Sequence, residues 1–244
     1  MSATNAPRGT YDILPGDSRR WQYIEESVSR IFHAYGYEEI RTPMFEHTEL
    51  FVRGIGETTD IVQKEMYTFV DNGGRSLTLR PEGTASVARA YLEHKMFSEA
   101  QPVKMYYIGP MFRYERPQAG RYRQLYQFGA EALGTSDPVA DVEMIAMPFE
   151  LYRTLGLKSL EVQVNSIGCP ECRPKYRAAL VEWVKEREDK LCKTCQSRLE
   201  RNPLRVLDCK EAQCQAATEG APRTIDFLCQ ECEKHFASVQ NYLR

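Results

Sequence analysis

Arginine is concentrated in one short stretch of the chain, residues 112–124. This stretch contains four arginines, one glutamate and a proline and glycine that predict a turn near residues 117–121. The guanidinium group stays charged at any relevant pH and can bind two oxygens of a phosphate or carboxylate at once. The stretch is therefore a candidate site for a phosphate-bearing ligand.

Two apolar runs flank this stretch, at residues 105–108 and 125–128, and they predict two antiparallel strands joined by the loop. Side chains alternate along a strand. The first strand therefore carries Arg113 and Glu115 on one face. On the second strand, the alternation gives one face with Arg123, Leu125, Gln127, Gly129 and Glu131, and an opposite, core-facing set with Tyr126, Phe128 and Ala130.

The polar Gln127 and Glu131 occupy positions that a sheet would normally fill with apolar residues, which indicates a ligand-binding face. Gly129 lies between them and would leave room for a ligand to approach the backbone. A surface hairpin with solvated charges is the alternative, and the pattern favours the ligand-binding face.

Several motifs together resemble the class II aminoacyl-tRNA synthetases, in the form found in histidyl-tRNA synthetases. Residues 112–124, FRYERPQAGRYRQ, resemble motif 2 of that class, within a hairpin near 105–131. LRPEGT at 79–84 resembles the histidine-binding loop of the family, and RGTYD at 8–12 resembles its N-terminal signature. The helix–strand–proline order near 17–43 resembles motif 1, which forms the dimer interface in that family.

The resemblance implies activation of histidine with ATP and transfer to histidine tRNA by a homodimer. It gives Arg113 the role of bridging the histidine carboxylate and the α-phosphate. Arg121 would hold the γ-phosphate, Glu115 would orient the nucleotide, and Mg²⁺ would neutralise the polyphosphate. Leu125 stands where the family usually has an aromatic ring stacked on adenine, unless Tyr126 takes that position in a different register.

Histidine itself would be bound by a second group of residues in the resemblance. The α-ammonium group would donate to Glu82, Thr84 and Gln127, and Gly83 would contribute to histidine binding within the same loop. Glu131 would face one ring nitrogen of the imidazole, fix the tautomer and recognise the side chain.

The resemblance also places the loop at the entrance to the site. Arg116 and Gln118 would lie where the acceptor end of the tRNA enters.

All 8 cysteines lie between residues 169 and 232, in the pairs 169/172, 192/195, 209/214 and 229/232, and the C-x2-C pair at 169/172 is followed by another at 192/195. This spacing predicts a four-cysteine zinc site. Cys209, Cys214, Cys229 and Cys232 would make a second site, although other pairings, such as 192/195 with 229/232, remain open. Reduced, partly buried thiols without a metal are the alternative.

The whole chain reads as an α+β protein, with an antiparallel sheet flanked by helices in a class II synthetase-like catalytic core over 1–168. Residues 169–244 are expected to form a small cysteine-rich insertion domain. The first core helix is predicted from an N-cap at Asp17, and a further strand is predicted over 160–164.

Charge and composition limit the function classes further. The net charge of −2 and the 42% hydrophobic content are those of an ordinary globular protein, which disfavours binding of nucleic acid through the overall field. Residues 169–210, however, carry 11 basic and 7 acidic side chains, which suits contact with an RNA backbone. The absence of a signal-like N-terminus or a membrane-length apolar run predicts a cytoplasmic protein with no membrane partner.

The sequence ends at Arg244, within the segment that resembles the insertion domain. Motif 3, the histidine-specific arginine motif and the anticodon-binding domain of the family are not in it. We therefore expect part of a longer enzyme, inactive alone. Two alternatives remain: the synthetase-like regulatory subunit of ATP phosphoribosyltransferase, and a zinc-dependent RNA-binding module.

Overall fold

The computed structural model describes residues 4–56, 59 and 61–244. The catalytic core predicted over residues 1–168 includes residues 1–3, which lie outside the described residues. The chain divides into two units, Met1–Leu160 and Glu161–Arg244, so the division falls a few residues before the expected one after 168.

The first unit alternates helices with short and long strands. Its α-helices are α1 Pro15–Ala34, α2 Thr48–Ile55, α3 Thr84–Glu93 and α4 Pro138–Thr154. Its strands are β1 Glu38–Glu39, β2 Phe45–His47, β3 Thr68–Val70, β4 Ser76–Leu79, β5 Val103–Phe112 and β6 Gln124–Leu133. A π-helical turn at Ile61–Glu65 and a 3₁₀ turn at Met96–Ser98 complete the unit.

The strands form two three-stranded sheets, in the orders β1–β5–β6 and β2–β4–β3. All strand pairs are antiparallel except β1 with β5. The α+β prediction and the predicted β5–β6 hairpin are thus confirmed, and β5 is the central strand of its sheet.

One face of the β5–β6 hairpin packs against helices α1 and α4. The buried core there includes Phe32, Tyr106 and Leu151, with Phe128 and Ala130 packed against it. This is the core face that the alternation of β6 predicted. The opposite face of the hairpin carries Gln127 and Glu131.

Local residues set where the helices begin. Helix α4 begins with Pro138, and the side chain of Asp137 accepts a hydrogen bond of 2.9 Å from the backbone N–H of Val139. Helix α1 begins two residues before Asp17, and its N-cap position is Leu14. The predicted cap at Asp17 was therefore wrong, because Pro15 fixes the earlier start.

The second unit is helical in the residues that the structure describes. Its α-helices are α5 Cys172–Lys185, α6 Lys193–Arg201, α7 Leu204–Leu207, α8 Ala212–Thr218 and α9 Gln230–Tyr242. Short 3₁₀ turns lie at Glu188–Lys190 and Thr224–Phe227. Residues 160–164 have no regular structure, so the strand predicted there was wrong; none of the strand pairings includes them.

No helix in the described parts of the chain is both long and apolar enough to cross a membrane.

Candidate functional site

The register of the hairpin determines which side chains share the face that carries Gln127 and Glu131. Met111 pairs with Leu125, Gly109 with Gln127 and Tyr107 with Gly129. Directly opposed residues lie on the same face of an antiparallel pair. Tyr126 lies on the other face, with its ring 4.7 Å from that of Trp21. Leu125 therefore lies on the same face of the hairpin as Gln127, whereas Tyr126 does not.

Arg113 connects the hairpin to the loop before helix α3. Its backbone N–H donates to the carbonyl oxygen of Arg123 at 2.9 Å, which extends the ladder beyond the end of β5. Its guanidinium Nε donates to the carbonyl oxygen of Pro81 at 2.9 Å. One N–H group of the guanidinium thus positions the side chain, and the guanidinium has four further N–H donors.

Arg123 supports the start of the second strand. Its guanidinium carbon lies 4.0 Å from the centre of the Tyr114 ring, and its Nε donates to the carbonyl oxygen of Glu115 at 3.4 Å. Its backbone N–H donates to the carbonyl oxygen of Gly9 at 2.7 Å. The N-terminal segment and the arginine-rich loop therefore support each other.

Glu115 has a carboxylate that is largely removed from solvent. Its side chain is 17% exposed, and the Oε2 atom is buried without a hydrogen-bond partner. The Nη1 atom of Arg121 lies 3.6 Å from that oxygen, beyond hydrogen-bond distance. A buried carboxylate oxygen without a bonded donor is uncommon and can accept from a ligand.

The loop residues Arg116 and Gln118 are exposed. The loop is closed by two backbone hydrogen bonds between Gln118 and Arg121, at 2.9 and 3.3 Å. Because they are exposed on this loop, the side chains of Arg116 and Gln118 are accessible to a large ligand.

Acidic groups gather at the beginning of helix α3. The two carboxylate oxygens of Glu82 accept from the backbone N–H groups of Thr84 and Ala85, at 2.7 and 2.9 Å. The hydroxyl group of Thr84 donates to Oε1 of Glu131 at 2.7 Å. Burial, followed by the charge of Glu82, raises the pKa of Glu131 above its usual range. The fold therefore joins Glu82, Thr84 and Glu131 into one acidic cluster.

Tyr107 fills the space between two glycines of the site. A Cβ atom built on Gly83 or on Gly129 would overlap the Tyr107 ring or its hydroxyl group. The sequence suggested that Gly129 makes room for a ligand; in the structure that room is occupied by Tyr107. Burial raises the pKa of Tyr107, so its hydroxyl group remains a hydrogen-bond donor at neutral pH.

Arg80 is a site-supporting residue that sequence reasoning missed. It is 6% exposed, donates through Nε to the carbonyl oxygen of Pro110, and donates through Nη1 to Thr42. Burial lowers its pKa. The arginine joins the segment after β1 to the central strand β5. In the sequence, only its position directly before Pro81 and Glu82 indicated that it belongs to the site.

The cysteines of the second unit form two groups of four. Cys169, Cys172, Cys229 and Cys232 make one group, Cys192, Cys195, Cys209 and Cys214 make the other, and the sulfur atoms within each group lie within 4.8 Å of one another. The combinations of 169/172 with 192/195 and of 192/195 with 229/232 were therefore wrong, and the observed one is among those that the sequence left open. Spacing along the chain identifies the pairs, but the folding of helices α5 to α9 decides which pairs meet.

The structure is similar to solved aminoacyl-tRNA synthetases. It matches the apo histidyl-tRNA synthetase of S. aureus with a TM-score of 0.77 at 44% identity, over 99% of this chain and 54% of that one. A histidyl-tRNA synthetase from Nostoc sp. PCC 7120 shares the fold at 17% identity, with a TM-score of 0.63. The fold thus defines a protein of the aminoacyl-tRNA synthetase class.

The sequence comparisons identify the family within that class. The model of the histidyl-tRNA synthetase family matches residues 9–209. The histidine–tRNA ligases of Desulfitobacterium hafniense and Halothermothrix orenii are each 60% identical to this chain, over 99% and 98% of its length. This chain belongs to the histidyl-tRNA synthetase family. It spans 57% of the length of each of these two relatives.

Proposed function

We propose that this chain activates histidine with ATP to histidyl-adenylate and contributes to its transfer to histidine tRNA. The observation that carries this proposal is the pairing of a cation and an acidic cluster around one loop. Arg113 is bonded to the carbonyl oxygen of Pro81, and the next residue, Glu82, begins the cluster with Thr84 and Glu131. An α-amino acid carries an ammonium and a carboxylate group on one carbon, so its site needs both charges in close proximity.

The amino acid would lie with its ammonium group at the acidic cluster and its carboxylate at Arg113. Glu82, Thr84 and Gln127 offer oxygen acceptors to the ammonium group, and Gly83 keeps the loop close to Tyr107. Glu131 would accept from the imidazole. A site that needs this hydrogen bond rejects apolar analogues, because they cannot donate it to the partly buried carboxylate.

ATP would lie along the hairpin toward the loop. Arg113 would contact the α-phosphate, where negative charge increases as pyrophosphate departs. Arg121 is 60% exposed and only loosely paired with Glu115, so it can move to the γ-phosphate. The free Oε2 atom of Glu115 would accept from the nucleotide, and Leu125 would cover the base by apolar contact.

Mg²⁺ would screen the polyphosphate while these residues hold it. None of the described side-chain groups forms a dedicated carboxylate cage for the ion, since both of the possible metal-binding groups are made of cysteines. The chain's own contribution is to position the carboxylate and the α-phosphate for in-line attack.

The partners follow from the same proposal. The exposed Arg116 and Gln118 would contact the acceptor end of the tRNA. The segment near 17–43 would form the interface of a homodimer, and the protein would act in the cytoplasm.

The second unit would bind zinc through its cysteines. Two groups of four sulfur atoms at metal-binding separations support this, because zinc sites with four cysteines need four thiolates around one point.

The test of histidine activation is ATP–pyrophosphate exchange, measured with the complete natural protein that contains this chain. Arg113→Ala should reduce histidine-dependent exchange by roughly 100-fold or more, as loss of a group that stabilises transition-state charge does. The matched control is Arg75→Ala, which removes an arginine that is 67% exposed and paired with Asp71 in the β3–β4 hairpin. The control should leave exchange unchanged.

Two results would contradict the proposal. Equal exchange in the parent and in Arg113→Ala would remove Arg113 from the reaction. A parent protein that binds ATP and yet never charges tRNA with histidine would favour the regulatory subunit of ATP phosphoribosyltransferase.

A further inference from the structure

The eight cysteines of the second unit are divided into two nested sets. The outer set, Cys169, Cys172, Cys229 and Cys232, encloses along the chain the inner set, Cys192, Cys195, Cys209 and Cys214. We infer that each set binds one zinc ion, so that the unit carries two structural zinc sites with this ligand assignment. The inference rests on the zinc binding proposed above and adds the number of ions and their ligands.

The separations between sulfur atoms fit a metal and do not fit disulfides. Four sulfurs placed tetrahedrally at about 2.3 Å from zinc are about 3.8 Å from one another. The sulfur of Cys169 lies 3.5 Å from that of Cys172 and 3.9 Å from that of Cys229, and the Cys192–Cys209 separation is 4.0 Å. A disulfide would need about 2.05 Å. All eight cysteines are free.

Backbone N–H groups already point at sulfur atoms in both sets. The N–H of Cys229 donates to the sulfur of Cys172 at 3.0 Å, and the N–H of Cys192 donates to that of Cys214 at 3.2 Å. Such bonds stabilise a thiolate more than a neutral thiol. Each of the two bonds also joins the two cysteine pairs of its set.

The ligands are positioned by the beginnings of helices. Cys172 begins α5, and Cys229 is the N-cap residue of α9. In the inner set, Cys192 is the N-cap residue of α6. Zinc with four thiolates carries a net charge of −2 after the thiol protons are released, and the positive ends of helix dipoles offset this charge.

The two sites differ in burial. Cys195 and Cys214 of the inner set are both 0% exposed and belong to a hydrophobic cluster with Leu180, Leu199 and Val206. In the outer set only Cys172 is buried. The inner ion should therefore be lost to a chelator more slowly than the outer one.

Zinc content of paired Cys→Ser variants tests the assignment. The parent 244-residue chain, purified under reducing conditions, should contain two zinc ions. Cys169→Ser with Cys229→Ser removes two ligands of the same set and should leave one ion. Cys169→Ser with Cys192→Ser, and Cys169→Ser with Cys209→Ser, each damage both sets and should leave none.

These three double variants are matched, because all contain Cys169→Ser and all four positions concerned are half-buried. Each of the three possible ways to combine the four cysteine pairs predicts that a different variant keeps one ion. Retention of one ion by either of the other two double variants would overturn the nested assignment, while the proposal of zinc binding would stand.

Histidine substitutions protect the test against misfolding, because histidine can still bind the metal. With Co²⁺ in place of zinc, the visible absorption of the bound ions reports their ligands. Cys169→His with Cys229→His should shift the absorption of one of the two Co²⁺ ions, whereas Cys169→His with Cys192→His should shift the absorption of both. The opposite pattern would refute the assignment. A reduced parent chain that takes up neither Zn²⁺ nor Co²⁺ would overturn zinc binding itself and leave the proposal of histidine activation untouched.

Discussion

The contact of Tyr107 with Gly129 gives a prediction that separates two explanations of this glycine. The sequence explanation assigns the open space to a ligand, whereas the structure fills it with the Tyr107 side chain. If the glycine serves the ligand, Gly129→Ala should weaken ligand binding and leave the stability of the ligand-free protein almost unchanged. If it serves Tyr107, the same substitution should destabilise the ligand-free protein.

The magnitude follows from the overlap. A Cβ atom at Gly129 would lie 2.5 Å from the ζ-carbon of Tyr107, well inside van der Waals contact, so the half-buried ring must shift. Overpacking of this kind costs about 1–3 kcal/mol. For a unit of this size each kcal/mol lowers Tm by about 2–4 °C, so we expect a fall of about 2–12 °C.

Thermal denaturation of the ligand-free chain measures the fall in Tm, urea denaturation measures the cost in free energy, and a second substitution identifies the cause. In a Tyr107→Leu background the ring is gone, so Gly129→Ala should hardly destabilise the fold. It should instead approach the stabilisation of ~0.5–1 kcal/mol that alanine has over glycine within a strand. A Gly109→Ala control in the same background should keep its full cost, since a Cβ there meets Arg80 instead. Equal costs of Gly129→Ala with and without the tyrosine would refute the reasoning.

Two further predictions concern stability. Because burial raises the pKa of Glu131 in the folded state, its ionisation destabilises the fold as pH rises through that pKa. Glu131→Gln should therefore unfold at a higher temperature than the parent at pH 7, and this gain should vanish below the ordinary glutamate pKa of about 4.3; a gain independent of pH would contradict it. Asp137→Ala removes the cap of α4 and should cost about 1 kcal/mol in urea denaturation. Asp17→Ala should cost less than half of that, because Asp17 makes no capping bond, and similar losses for both would be inconsistent with the difference.

The hairpin and its two faces could be predicted because they depend on local geometry. Alternation along a strand places Gln127 and Glu131 on one face and Phe128 on the other, whatever the strand packs against. The Pro117 and Gly120 positions predict the turn in the same local way. The acidic cluster was less accessible, because Thr84 and Glu131 are 47 residues apart and meet only when α3 lies against β6.

The sequence by itself determined the family, the arginine-bearing hairpin and the existence of four cysteine pairs. These features are carried by residue types at short spacings, which act through local backbone geometry and through charge. Tertiary structure alone decided that Tyr107 and not a ligand fills the space at Gly129, that Arg80 joins β5 to the segment after β1, and that the cysteine pairs are nested. These outcomes depend on contacts between distant parts of the chain, and such contacts are selected by the packing of whole helices and strands, which no short spacing encodes.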